Sequence, residues 1–170
     1  LSGFRLSAGV SFTFPAGTTL APGAYLVVAE NTAFLQSKVT IPGGVTVVQW
    51  ASGDLANGGE TVELTDSYGH VIDSVPYDDG GEWSPPADGD GPSLELVNPK
   101  LRAYAARAWR ASASLNGTPG FRNSRFTDGL IVIDEVPQRG SSAVDLQEIT
   151  VTFSESVEGV TASDLTVDGV

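Results

Sequence analysis

The chain has 170 residues, 41% of them apolar, with twenty glycines, ten prolines, one histidine, no cysteine and a formal net charge of −12. The lack of cysteine excludes a disulfide framework, a thiolate metal site and cysteine catalysis. No run approaches the roughly 18 apolar residues that a membrane span needs, and the acidity argues against nucleic acid and anionic membrane surfaces as direct ligands. Methionine is absent even at position 1, so the sequence is expected to begin inside a longer product or to be processed.

Glycine and proline punctuate the chain at short intervals, and the segments between them read as strands. Ser11 to Phe14 alternates polar and aromatic residues before Pro15-Ala16-Gly17. Ala24 to Ala29 is a continuous apolar run after Pro22-Gly23, the pattern of a buried strand. Asn31 is placed to cap a helix over Thr32 to Ser37, before Val39 resumes strand character. Val45 to Trp50 follows Pro42-Gly43-Gly44, and Thr61 to Thr65 alternates after Asn57-Gly58-Gly59. Val71 to Tyr77 follows the turn Ser67-Tyr68-Gly69, and Ser93 to Val97 alternates again. A helical turn is expected within Ala103 to Ala108. Short strands with turns every 8 to 12 residues predict an all-β fold, an antiparallel sandwich or barrel. Its expected core is Tyr25, Leu26, Val28, Val47, Val62, Leu64, Val71, Val75, Leu94, Leu96 and Trp109.

Charge is segregated along the chain. Val39 to Pro99 holds eleven acids and no lysine or arginine, whereas Lys100 to Arg125 holds six bases and no acid. Two readings stand: neutralisation across the fold, or a basic face held out for a partner. Exposed pairs would add only about 0 to 1 kcal/mol each.

The ordered set of motifs resembles the lamin tail domain family. It comprises LSGFRLS from Leu1, FTFPAGTTLAPGAYLVVAE from Phe12, LANGGETVELTDSYGHVIDSVPYDD from Leu55, GPSLELVNP from Gly91, Trp109-Arg110-Ala111-Ser112 and GTPGFRNS from Gly117. The resemblance implies an immunoglobulin-like antiparallel β-sandwich over residues 1–125, without catalytic residues. It is closer to the bacterial and archaeal extracellular branch, in which the domain is an accessory module of secreted enzymes and surface proteins. An extracellular or cell-surface location follows as an expectation. Family members open with a further strand of the type IVINEI, so a sandwich starting at Leu1 is expected to leave an unpaired edge and an uncovered core.

Residues 126–129 read as a linker. Leu130 to Val136 (LIVIDEV) has strand character, and Glu148 to Val170 resembles the first half of bacterial immunoglobulin-like domains, in which a VTFSE strand is followed by a TASDLTV strand. Residues 130–170 are thus expected to be part of a second immunoglobulin-like β domain. Leu130 to Val136 also resembles the family's opening strand. It either opens its own domain or completes the first sandwich of another copy, a contact that builds a filament when repeated.

The residues that carry chemistry are few. Asp78, Asp79, Glu82, Asp88 and Asp90 lie in a Gly-rich loop and supply the oxygens that calcium prefers. Pro92 stands where an EF-hand would place its third ligand, so only an irregular calcium site is open to them; the alternative is a solvated turn-forming loop. No nucleophile elbow, phosphate loop or metalloprotease helix occurs. Trp83, in the same polar loop, is a candidate partner contact, or else an anchor packed on the sandwich. Arg102 and Arg107 of the basic block complete the candidate partner-contact set. Two functional classes follow: a non-catalytic structural or adhesion module that contacts neighbouring domains or copies of itself, or an accessory domain that binds polysaccharide or cell wall, with calcium as an optional cofactor.

Overall fold

A computed structural model describes residues 1–137, 141, 142 and 144–164. The chain divides into two compact units, Leu1–Thr127 and Asp128–Val170.

In the first unit, β1 (Arg5–Ala8), β2 (Phe12–Thr13), β5 (Glu60–Thr65) and β6 (Val71–Tyr77) form an antiparallel sheet in the order β2-β1-β5-β6. β7 (Pro92–Leu96) and β8 (Trp109–Leu115) form an antiparallel pair. The all-β, mainly antiparallel architecture expected from the punctuation is therefore present.

One pair differs. β3 (Leu26–Ala29) and β4 (Thr46–Gln49) run parallel, with Leu26 opposite Thr46 and Ala29 opposite Gln49. Parallel neighbours need a crossover of a dozen or more residues, and the chain between them carries α1 (Thr32–Lys38). The Asn31 side chain accepts a hydrogen bond from the Phe34 amide at 2.9 Å and so starts the helix. Lys38 sits in the last turn, where the helix dipole favours a cation, and extended Val39 ends it. An isolated bridge between Ser11 and Ser52 ties the end of this pair to the β1–β2 corner.

The β5–β6 hairpin turns on Asp66. One carboxylate oxygen accepts from the amides of Tyr68 and His70 at 2.8 and 2.9 Å, and the other lies 2.9 Å from His70 Nδ1. The ring hydrogen bond is the largest of the effects that lower the Asp66 pKa. At the other end of the hairpin, Gly59 has φ +99°, and a Cβ there would lie 2.7 Å from the Tyr77 carbonyl oxygen. Only glycine fits that approach.

Two expected core residues are exposed. Val71 follows a register shift, since Leu64 pairs with Asp73 but Thr65 with Val71. The extra residue, Ile72, puts Val71 out of phase with Val75, and both Val71 and Ile72 face solvent. Tyr25 is also exposed. Trp109 does pack inward, its indole N–H donating to the Ala103 carbonyl at 2.7 Å. The buried apolar set consists of small side chains together with Val10, Phe14 and Trp83, and among the described residues no large side chain is less than 2% exposed.

In the second unit, β9 (Val132–Val136) pairs antiparallel with β10 (Thr150–Phe153). The LIVIDEV segment thus lies in a sheet of its own unit. The expected TASDLTV strand is different: Ala162–Asp164 is a 3-10 turn, and residues 165–167 lie outside the described residues. Asp164 accepts from the Thr161 amide and hydroxyl, the local bonding that favours a turn over a ladder.

Candidate functional site

The first unit carries an open groove of about 930 Å³. All of Tyr25 to Asn31 line it, but no residue of β4 does. The groove therefore runs along the edge of β3 that β4 leaves unpaired. Ser93, Leu94 and Glu95 of β7 also line it, with Trp109 from β8. β3 and β7 each belong to a two-stranded sheet. Phe34, Leu35 and Lys38 come from α1, and Trp50 and Leu55 from the chain after β4. Phe34 is 62% exposed, and Tyr25, Leu55 and Phe121 are also exposed. Lys38 Nζ lies 5.1 Å from the Phe34 ring centroid, one helical turn on. Unpaired strand edge combined with apolar side chains suits an extended polypeptide.

Asn116, Thr118 to Phe121 and Asn123 complete the lining, and Glu95 holds this segment. Glu95 is 3% exposed, and its carboxylate is the acceptor. It accepts from the Thr118 hydroxyl at 2.5 Å, the Ser124 hydroxyl at 2.7 Å and the Arg125 amide at 3.2 Å. Burial alone raises the pKa of this carboxyl, but the hydrogen bonds from Thr118, Ser124, Ser112 and the Arg125 amide outweigh it and leave the group below its ordinary value. Nearby, Asn123 donates to the Leu96 carbonyl, and the Arg125 side chain donates to that of Ala111. The alternating pattern SLELV could have flagged Glu95, because it places an acid on a strand whose other side chains are apolar or small.

The acid loop is only partly gathered. Asp78, Asp79 and Asp88 line a second cavity of about 170 Å³; Glu82 and Asp90 do not. Asp78 accepts from the Gly80 amide at 2.8 Å, an Asx turn that serves the loop. Among the described residues, no three His, Cys, Asp or Glu side chains come together in a group that could hold a metal ion. Tyr77 borders the same cavity. Its hydroxyl donates to Glu60, and burial, followed by that carboxylate, pushes its pKa up to about 12.

Trp83, read from the sequence as a candidate partner contact or a loop anchor, is 9% exposed. Its ring lies 6.3 Å from that of Trp109, and Ser84 beside it accepts from the Ala111 amide on β8. A large aromatic in a polar loop is buried when the loop folds back over a sheet, since burying an indole offsets the ordering of the loop. Arg102 is exposed, and Arg107 is half-buried in the 3-10 turn Ala106–Ala108. Other members of the basic block bind main chain or an aromatic ring. Arg110 donates to the carbonyls of Arg107 and Trp109, and Arg122 lies 3.6 Å from the Phe126 ring centroid. No helix among the described residues is long and apolar enough to cross a membrane.

Neither the curated proteins nor the solved structures contain a match to this chain. The family model of the lamin tail domain matches residues 1–79, the stretch that runs from the β1–β2 corner through the β5–β6 hairpin. That part of the chain is similar to the lamin tail domain family, whose fold is immunoglobulin-like.

Proposed function

We propose that this chain is a non-catalytic interaction module of an extracellular or cell-surface protein, and that its groove receives an extended segment of a partner protein. The observation that carries this reading is the groove's lining: it includes residues of β3 and β7, strands that each pair on one side alone. A peptide added there gains main-chain hydrogen bonds, and its alternate side chains enter the apolar interior. Head-to-tail assembly of copies is the version in which the partner strand is residues 130–136 of another molecule. It requires β9 to leave its pairing with β10.

The test uses the isotope-labelled chain and a synthetic peptide of sequence LIVIDEV. Saturable amide shifts at residues 25–30 and 93–95 support the reading. The absence of shifts at those positions, together with retention on insoluble glycan, overturns it in favour of a polysaccharide-binding accessory domain. The absence of both leaves a structural spacer and also overturns it. Light scattering at rising concentration reports on copy-to-copy assembly.

A further inference from the structure

We infer that Glu95 is the fastener of a movable groove wall: it holds residues 116–125 as a strap whose position sets the groove's width. The inference rests on reading the groove as a binding site. Three observations support it. First, Glu95 grips the strap at two places, Thr118 and Ser124, which lie on either side of the groove-lining residue Phe121. Second, the strap between these points is irregular chain, closed on itself by the turn in which the Phe121 amide donates to the Thr118 carbonyl. Third, Glu95 itself lines the groove although it is almost wholly buried. It therefore sits beneath the strap rather than beside it. Hydrogen bonds to an ionised acceptor are about twice as strong as neutral ones, so one carboxylate supplies much of the strap's attachment. Beyond Ser124, Thr127 and Asn98 form a separate anchor, so the strap is released locally without detaching the chain that follows. Glu95 acts through the strap and is a positioning residue.

The test is native-state amide hydrogen exchange on the whole chain, comparing wild type with Glu95→Gln. Exchange at the Phe121 and Arg125 amides is expected to rise about tenfold or more, with exchange at Val62 and Leu64 of β5 unchanged. Dye or peptide affinity of the groove should change in parallel. If the strap amides stay protected, or if Val62 and Leu64 accelerate equally, the inference is wrong and Glu95 only contributes to overall stability. Should Glu95→Gln fail to fold, Thr118→Val decides. It is expected to speed exchange at Phe121 and leave Val62 and Leu64 unchanged, and equal or absent changes sink the proposal. If no ligand binds the groove while the exchange pattern holds, the binding reading fails and the strap stands.

Discussion

The rings of Trp83 and Trp109 lie 6.3 Å apart with a 41° tilt, which clamps the acid-rich loop onto β8. Trp83 comes from the loop and Trp109 from the first position of the strand, so the contact joins segments about 25 residues apart in sequence. Replacing Trp83 with alanine removes most of a buried indole and is expected to destabilise the first unit by about 3 kcal/mol. A urea melt followed by circular dichroism measures this. A loss below about 0.5 kcal/mol, the range of surface substitutions, would show that the loop is not anchored there.

Glu95 predicts an acid response of definite sign. Its folded-state pKa lies below the ordinary glutamate value. Its contribution to stability is therefore complete above the unfolded value of about 4.3 and is lost as pH falls through the folded value. Urea midpoints measured between pH 6 and pH 3 should fall more steeply for wild type than for Glu95→Gln. Parallel profiles would mean that the carboxylate is not held in the ionised form.

Gly59→Ala brings a methyl group within 2.7 Å of both the Tyr77 carbonyl oxygen and Asp78 Cα, at φ +99°. The expected cost is about 1 to 3 kcal/mol. Gly17→Ala is the control, since its positive φ is similar but nothing lies within 4 Å; it should cost less. Equal thermal shifts for the two variants would remove the steric part of the argument.

The open groove predicts that the native chain binds the dye ANS without unfolding, and that Phe34→Ser weakens this binding while shifting stability by no more than about 0.5 kcal/mol. Fluorescence titration in native buffer reads both. Calcium added to the same samples should leave the melting temperature unchanged, since a ligand stabilises only the state it binds. A calcium-dependent rise would mean that the Asp78–Asp90 loop closes around the ion.

Local chemistry made much of this protein legible without coordinates. Asn31 marked the helix start because only a short polar side chain reaches the Phe34 amide. Gly58-Gly59 and Ser67-Tyr68-Gly69 marked the ends of β5 and β6, because positive φ is cheap only for glycine. Alternation located β5 and β7, since side chains in a strand change face at every residue. These signals act over a few residues, so the sequence alone determined the all-β class and most strand positions. Contacts distant in sequence were decided only by the tertiary structure. The parallel pairing of β3 with β4, the bulge that exposes Val71, the burial of Trp83 against Trp109 and the grip of Glu95 on Thr118 and Ser124 each join segments that share no local pattern. The groove has the same origin: an unpaired edge is a property of which strands neighbour each other, and no single strand's sequence carries that information.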